Sequence, residues 1–426
     1  MNNSKLRILL ATFLIMMPLG ILFPQISSPF SRYGIGELNN NGFARNQAMG
    51  GTGIGVRSSN YLNNMNPASY PAIDTLSFFF DGGVSGKLQK LSLNGNSTQH
   101  SKIDFDCFAF AFPIARFLFT SVGLRPMANN DYHFIVSNDI SSMTAIGDGN
   151  ISNLYGGIGL KLTKSLSIGA HVNYLFGDTR NMSVVSFSAG DRHFGAKTEI
   201  HISDVFLDFG AQYTLDINDD KLTIGGIFSP KTKINGKLTW VEGTGDSFDD
   251  DKFIVLTQSD TINHNWNDKA AEMPMGFGVG ISYVINNKMT LAVDYSTKKW
   301  GDVSLAGDGL DNRVNLGETA NANYYSAGME WVPNERTGTK YFERVKYRAG
   351  AHYADDYIKL NGYQVKDMGI SFGLGLPLRR TNTSVNVAFD LGTKGTSEKG
   401  ISKETYGKFS LNFTLHEYWF MKSRIR

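Results

Sequence analysis

The sequence predicts an all-β fold, a transmembrane antiparallel β-barrel of about 14 strands with an amino-terminal hatch inside the lumen. The composition favours strands and tight turns, since the 426 residues include 46 Gly, 29 Phe and 18 Tyr but only 11 Pro, and 19% of them are charged. Segments of roughly 10 to 20 residues alternate apolar and polar side chains, which is the repeated signature of a membrane barrel. The connections between them alternate between short and long, as expected when one set of turns faces the periplasm.

The first residues predict an export signal. Lys5 and Arg7 precede an apolar run over residues 8–23, which a proline and a glycine interrupt, and cleavage is expected between residues 24 and 28. A membrane-anchoring helix is the alternative, but it usually needs about 20 uninterrupted apolar residues. Together with a barrel, the signal predicts the outer membrane of a Gram-negative cell. The predicted domains are a signal peptide (1–26), an amino-terminal hatch, called the plug below (27–73), a transmembrane β-barrel (74–420) and a basic carboxyl-terminal tail (421–426).

The predicted strands have one apolar and one polar face. Met289, Leu291 and Val293 alternate with Thr290, Ala292 and Asp294, so that one side suits lipid and the other the interior. A soluble sandwich would show the same period, but it has no reason to sort its loops by length. The strands are predicted near residues 74–88, 100–113, 117–138, 150–163, 166–188, 195–215, 221–240, 274–285, 288–299, 322–332, 345–356, 363–378, 383–395 and 402–418.

Two connections are predicted to be long outer loops, at residues 241–273 and 301–321, and the link at 333–344 is long where a short turn is due. Aromatic residues near strand ends predict belts at the two membrane interfaces, because a ring with one polar edge suits the headgroup level. The predicted belt residues are Trp240, Trp300, Trp331, Tyr174, Tyr283 and Trp419.

A glycine- and asparagine-rich stretch at residues 48–68 is predicted to be the centre of the plug. A barrel of this size has a lumen that its own wall side chains cannot fill, so it needs a plug to be selective. Gly50, Gly51 and Gly53 would let a compact, irregular backbone pack there, and Pro67 would fix φ where the plug meets the wall. A dinucleotide-binding loop is excluded by spacing, because a valine stands where the third glycine of that motif would be.

The chain resembles the FadL family of outer-membrane channels for hydrophobic compounds. The resemblance is carried by SPFSRYG (28–34), AMGGTG (48–53) and Asn-Pro-Ala (66–68), ahead of the predicted strands. It implies that the amino-terminal segment folds inside the barrel as a hatch, and that a kink in the third strand opens the wall laterally. The hatch motif carries over to Asn66, Pro67 and Ala68.

The strand that would hold the kink contains Gly123-Leu124-Arg125-Pro126. Pro126 lacks an N–H and cannot complete a ladder bond, so a bulge, a kink or a lateral gate is expected there. Gly123 and Pro126 are therefore the candidate lateral gate.

The second predicted strand suggests a substrate type. If its other face contacts lipid, Phe108, Phe110 and Phe112 point inward and form a candidate hydrophobic substrate path. The alternative is that these rings pack against the plug.

Cations on another strand suggest a second candidate site. Lys346 and Arg348, which share a face with His352, could pair with a fatty-acid carboxylate. The alternative is that they balance acids in the lumen, for which the candidates are Asp208, Asp294 and Asp390.

The sequence argues against several other functions. A net charge of +2 predicts no nucleic-acid partner, and the single Cys107, which is expected to be a small apolar wall residue, allows no internal disulfide. The acidic residues at 246 and 249–251 lack the spacing of a calcium loop, so no metal and no cofactor are predicted. No zinc-protease or nucleophile-elbow motif is present, so no enzyme is predicted.

Two functions remain. The first is passive uptake of hydrophobic small molecules, such as long-chain fatty acids, with hatch movement and lateral release into outer-membrane lipid. The second is a non-transporting accessory role as a subunit or docking partner of an envelope protein complex. A continuous apolar tunnel ending at a gap beside Pro126 would favour transport, and a sealed lumen with a broad apolar patch on the loops or turns would favour the accessory role.

Overall fold

The structure, a computed structural model, describes residues 28–39, 42–93, 95–187, 193–245, 256–265, 271–303, 316–334, 339–378, 381–398 and 400–419. The predicted signal peptide, the acidic residues of the 246–251 loop and the basic tail lie outside these residues.

The described chain consists mainly of strands. They are β1 (Glu37–Leu38), β2 (Ser77–Leu93), β3 (Asn96–Pro113), β4 (Leu118–Asn129), β5 (Tyr132–Ser137), β6 (Ser141–Lys161), β7 (Leu166–Phe187), β8 (His193–Ile217), β9 (Asp220–Ser229), β10 (Thr232–Ile234), β11 (Gly236–Gly245), β12 (Leu256–Asn265), β13 (Ala271–Met273), β14 (Gly276–Ile285), β15 (Met289–Lys298), β16 (Glu318–Thr319), β17 (Ala322–Trp331), β18 (Lys346–Leu360), β19 (Tyr363–Pro377), β20 (Ser384–Gly395) and β21 (Lys403–Tyr418). The helical elements are short: α1 (Ala44–Gln47), α2 (Tyr341–Arg344) and 3-10 turns at Pro29–Arg32, Pro67–Ala72 and Trp300–Asp302. No helix in the described ranges is long and apolar enough to cross a membrane.

Among the described strands, 14 form a closed antiparallel barrel, so the predicted fold class is confirmed. In order around the wall they are β2, β3, β4, β6, β7, β8, β9, β14, β15, β17, β18, β19, β20 and β21. The last strand closes the ring by pairing with the first, from Ser77↔Tyr418 to Ser92↔Lys403. Both ends of the wall therefore lie at one rim, which we call the inner rim, and the opposite rim is the outer rim.

The wall has the two faces that the alternation predicts. On β8, Val205, Leu207 and Phe209 are exposed on the outside, while Gln212 is 1% exposed and points into the lumen. Apolar positions on the outside of the other strands continue this surface, as expected for a wall in contact with acyl chains.

The prediction that residues 241–273 form a long outer loop was wrong in part. β11 and β12 form a hairpin there, and β11 pairs with β8 from Gly236↔Ile202 to Gly245↔His193. The physical reason is the length of β8, which has 25 residues where about 9 to 11 cross a bilayer. Its outer part offers a strand edge beyond the membrane, and residues 236–245 pair with that edge.

Two of the predicted belt residues do not contact lipid. Trp240 is 4% exposed and Trp300 is fully buried, and both belong to an apolar cluster near the outer rim that includes Phe30 and Tyr357. Trp331 and Trp419 are exposed, 46% and 60%, as the belt prediction expects.

Candidate functional site: the filled lumen and a break in its wall

The start of the plug is held near the outer rim. Phe30 is 1% exposed within the apolar cluster, and the Tyr357 hydroxyl on β18 donates a hydrogen bond to the Gly36 carbonyl at 2.6 Å. The same hydroxyl accepts the N–H of Ile35 at 3.2 Å. An apolar core with satisfied backbone groups therefore fills this end of the lumen.

The short strand β1 crosses the lumen below this cluster. Its backbone pairs with β4, with Glu37 opposite Asn129 and Leu38 opposite Ala128. The Glu37 carboxylate lies 3.4 Å from the amine of Lys87 on β2 and 3.2 Å from that of Lys394 on β20. Burial raises the pKa of this carboxyl, but attraction by Lys394 and Lys87 lowers the pKa by a larger amount. The pKa of Glu37 therefore lies well below the ordinary range. One plug residue thus ties three parts of the wall together.

A buried charge network holds the middle of the plug. Arg45 on α1 donates two hydrogen bonds to the Glu330 carboxylate on β17, at 3.2 and 3.1 Å. Arg348 on β18 donates to the same carboxylate at 2.6 Å, to Asn386 at 2.8 Å and to the Tyr61 hydroxyl at 3.0 Å. Charged groups in this fixed geometry compensate one another while they exclude water.

This network corrects the predicted carboxylate site. Arg348 is 4% exposed and its charge is matched by Glu330, so it is not available to a fatty-acid carboxylate. The amine of Lys346 lies 4.5 Å from the centre of the Tyr61 ring in the plug. The proposed alternative, that these cations balance lumen acids, is correct in kind, but the acid is Glu330.

The predicted acids serve other groups. Asp294 on β15 accepts the backbone N–H groups of Gly53 and Ile54 at 2.6 and 2.7 Å. Asp390 lies 3.8 Å from His352. Asp208 accepts hydrogen bonds from Ser229 and Asn173. The wall therefore uses one carboxylate to bind plug backbone directly.

The glycines of the plug adopt conformations or contacts that exclude a side chain. Gly50 and Gly51 have φ of +68° and +82°, a region that L-residues rarely enter. A Cβ on Gly53 would lie 2.4 Å from the sulfur of Met65. The Gly50 N–H donates to Ser371 on β19 at 2.8 Å, and its carbonyl accepts from Tyr324 on β17 at 2.9 Å.

The Asn-Pro-Ala triplet begins the last turn of the plug. Asn66 caps the 3-10 turn Pro67–Ala72, because its side chain accepts the N–H of Ala68 at 3.0 Å. Its amide group donates to the carbonyl of Ile54 at 2.9 Å. The Ala68 carbonyl accepts from Ser167 on β7 at 2.7 Å. The triplet is thus fully buried and is hydrogen-bonded both to the plug and to the wall.

Glycines on the inner face of the wall allow the plug backbone to approach closely. A Cβ on Gly210 would lie 2.1 Å from Asn66 Oδ1, one on Gly225 would lie 2.1 Å from the Ile54 carbonyl oxygen, and one on Gly350 would lie 2.2 Å from a backbone atom of Met49. Distances below about 3 Å require something to shift. The fit between plug and wall is therefore specified by residues on both sides.

The wall has a break beside Pro126. β3 and β4 pair from Pro113↔Phe119 to Phe108↔Leu124 and no further, although β3 continues to Asn96. Beyond Leu124, β4 stays paired with β6 through a register shift at Pro126 and exchanges its β3 partner for β1. Pro126 therefore lies at the predicted discontinuity. Gly123 does not, since it is paired with Ala109 below the break, and its missing Cβ leaves room for Tyr155.

The three phenylalanines of β3 point outward, so the predicted inward path is wrong. Phe108 is 40% exposed and contacts Phe80 at 5.2 Å between ring centres, while Phe110 contacts Phe78 at 5.9 Å. Phe112 is on the same face. The inward residues are Cys107, Ala109 and Ala111, which are at most 2% exposed. The reason is a bulge: Cys107 pairs with Gly83 and Phe105 with Val84, so that Asp106 is extra and the faces exchange at that point.

A cavity of about 320 Å³ remains between β1 and the lower plug. It is lined by charged side chains of both signs together with apolar ones, and the charged members include Lys87, Lys298, Lys394, Asp208, Asp367 and Asp390. It is therefore not an apolar tunnel. Among the described residues no cluster of His, Cys, Asp and Glu could hold a metal ion.

Arg45, Tyr61 and Glu330 were missed by the sequence reasoning. One signal was available for Glu330, which is a charged residue on the inward face of an alternating strand. Nothing in the sequence indicated that its partner is Arg45, 285 positions away.

Three comparisons place the chain among known proteins. The BamG family model matches residues 6–426. The structure is similar to that of the Ralstonia pickettii toluene transporter TbuX, with 14% identity, a TM-score of 0.57 and coverage of 88% of this chain and 99% of that one. It is similar to the Pseudomonas putida toluene transporter TodX, with 15% identity, a TM-score of 0.57 and coverage of 90% and 100%. It is also similar to a Pseudomonas aeruginosa FadL homologue, with 13% identity, a TM-score of 0.57 and coverage of 91% of this chain and 100% of that one. No curated protein matches the sequence.

Proposed function

We propose, given that this chain belongs to the BamG family, that it is an accessory barrel of the Gram-negative outer membrane, which serves as a subunit or docking partner of a larger envelope complex and does not carry solutes. The observation that carries this proposal is the way the lumen is filled. The plug is hydrogen-bonded to opposite sides of the wall, and an apolar cluster occupies the outer end.

Opening such a lumen would be costly. Moving α1 separates Arg45 from Glu330 and leaves that carboxylate with Arg348 alone, and breaking a buried ion pair typically costs about 3–5 kcal/mol. Plug movement would also break the bonds of Asp294 to two backbone N–H groups. A plug that gates by thermal motion needs weaker contacts than these.

The residues that the structure describes also form no continuous apolar route through the lumen. The phenylalanines that were expected to line such a route point toward the lipid instead. The cavity carries charges of both signs. A greasy solute gains free energy from burial against apolar surface and loses it beside unsatisfied charges.

The second candidate is passive uptake of hydrophobic molecules, including long-chain fatty acids, with hatch movement and lateral release. The break between β3 and β4 beside Pro126 favours it, because an opening there would connect the lumen to the bilayer. The shared fold with toluene transporters is compatible with either function.

Conductance and uptake measurements distinguish the two. We expect purified protein in planar bilayers to show no steady conductance, and a deletion strain to take up labelled fatty acid at the wild-type rate. The same strain should show altered abundance or assembly of other envelope proteins. A variant lacking residues 28–73, if it inserts, is the positive control for an open pore. Reduced uptake in the deletion strain, restored by the wild-type gene, would establish the transport function instead.

A further inference from the structure

The outer half of β3 is paired on one side only. Its pairing with β2 continues to Leu93↔Asn96, whereas its pairing with β4 ends at Phe108↔Leu124. Within the described part of the chain, no strand pairs with residues 96–107 on the side facing β4. Backbone groups of an antiparallel strand alternate between its two neighbours, so about every second N–H and C=O of this stretch points into the break.

The lower part of this edge, residues 102–107, lies at the depth of the bilayer. Ile103 and Phe105 are 73% and 45% exposed on the outside of β3, and Leu88 on the adjoining β2 is 68% exposed. Three exposed apolar side chains along this part of the outer face are expected to contact acyl chains. Open strand edges are strongly disfavoured in hydrocarbon, since no water is present to satisfy them. The edge therefore calls for a hydrogen-bonding partner.

Across the break, β3 is not paired with β5. Paired strands lie about 5 Å apart. Apart from isolated positions, the Cα atoms of β3 and of β5, the strand that follows β4 beyond the break, are more than 8 Å apart. Across the gap the Lys102 amine forms an ion pair with Asp131, and within β3 it forms another with Asp104 at 2.9 Å.

The lipid-facing and lumen-facing sides of the open β3 edge define the kind of segment that would fit there. Toward lipid, the neighbouring positions are apolar (Ile103 and Phe105), and toward the lumen they are charged (Lys102 and Asp104). A strand that alternates apolar and polar side chains would match both environments and would pair with the open edge of β3, while β4 stays paired with β1 at Ala128 and Asn129.

We propose that the outer half of β3 is a docking edge for an extended, amphipathic segment of a partner protein, which is added as a strand in the break between β3 and β4. This inference rests on the proposed accessory function and names the kind of partner segment that the barrel would receive. The main chain supplies the affinity, and the alternation of apolar and polar side chains along the segment supplies the selection.

Amide hydrogen exchange with a defined probe tests this edge. The probe is a synthetic peptide copying residues 403–418 of this chain, which alternate apolar and polar side chains, added to the purified protein in nanodiscs. We expect the alternate amides of residues 97–106 that face the break to exchange about tenfold more slowly, or slower still, with the peptide present. The amides of residues 108–113, paired on both sides, are the internal control and should not change.

Four results would overturn the proposal. Three of them are an absence of slowing, equal slowing by a peptide of the same composition scrambled to remove the alternation, and full protection of the edge without any peptide, which would mean that lipid or the chain itself covers it. Protection that rises with protein concentration alone would identify a second copy as the occupant and would also overturn it.

A closed variant supplies the matched control. In a Cys107→Ala background, Lys102→Cys and Asp131→Cys can be joined by a short bis-maleimide across the gap. We expect the joined protein to lose the peptide effect and the unjoined double variant to retain it. Failure of this inference leaves the conductance and uptake results unaffected, whereas a conducting barrel would overturn the accessory function without changing the exchange result.

Discussion

Arg45 of the plug and Glu330 of the barrel wall form a buried two-point ion pair, with the Nε and Nη2 atoms of the guanidinium 3.2 and 3.1 Å from the carboxylate oxygens. Arg348 of the next strand donates to the same carboxylate at 2.6 Å. Two cations thus depend on one anion, and the contact joins residues that are 285 positions apart. Plug and wall are therefore one folding unit at this point.

Replacing Glu330 should loosen the plug. Glu330→Gln leaves Arg45 and Arg348 buried without a counter-charge, so we expect the free energy of unfolding to fall by about 3–5 kcal/mol. Urea denaturation, followed by heat-modified migration on a gel, measures the loss. The matched control is Glu318→Gln, because Glu318 pairs with Lys359 with its side chain 69% exposed, and its loss should cost less than about 1 kcal/mol. Equal effects of the two variants would contradict a locking role for Glu330.

Adding a methyl group to the inner wall should displace the plug. Gly210→Ala would place a Cβ 2.1 Å from Asn66 Oδ1, and overpacking of this kind typically costs about 1–3 kcal/mol. We expect a lower unfolding midpoint and faster protease cleavage within residues 42–73. Gly156→Ala is the control, since no atom lies within 4 Å of its Cβ position. A wild-type midpoint for Gly210→Ala would show that the plug can move aside freely.

Substitutions of Asn66 distinguish a structural role of the Asn-Pro-Ala triplet from a gating role. Asn66→Ala removes the acceptor for the Ala68 N–H and the donor to Ile54, so stability should fall by about 1–2 kcal/mol. Asn66→Asp keeps the acceptor but sets a carboxylate oxygen against the carbonyl oxygens of Ile54, Ala211 and Gly226, so it should lose at least as much. Under the accessory function neither variant should conduct in a planar bilayer. Conductance from either variant while it remains folded would favour the hatch-gated channel.

Acidification should weaken the anchor at β1. The pKa of Glu37 is lowered in the fold, so its ion pairs stabilise the protein above the unfolded pKa of about 4.3, and this stabilisation is lost as the pH falls through the folded value. Glu37→Gln should be less stable than wild type at pH 7, and the difference should shrink as the pH falls below about 4. Urea midpoints of both proteins across this pH range provide the measurement. A constant difference would show that the carboxylate charge contributes nothing.

The sequence by itself determined where the wall strands run. Alternation with a period of two is a local property, and glycine, asparagine and proline mark turns and irregular backbone wherever they occur, so the strands near 166–188, 322–332 and 383–395 were predicted almost to the residue. The link at 333–344 was also correctly flagged as unusual, and part of it forms α2.

Only the tertiary structure decided which face of each strand points into the lumen and which segments of the chain pair with one another. One extra residue at Asp106 turns three phenylalanines from the lumen to the lipid, and local alternation cannot show a bulge that depends on the register with β2. The partner of Arg348 and the pairing of β11 with β8 were equally beyond a local reading. Each depends on contacts between distant segments, which form only when the barrel closes.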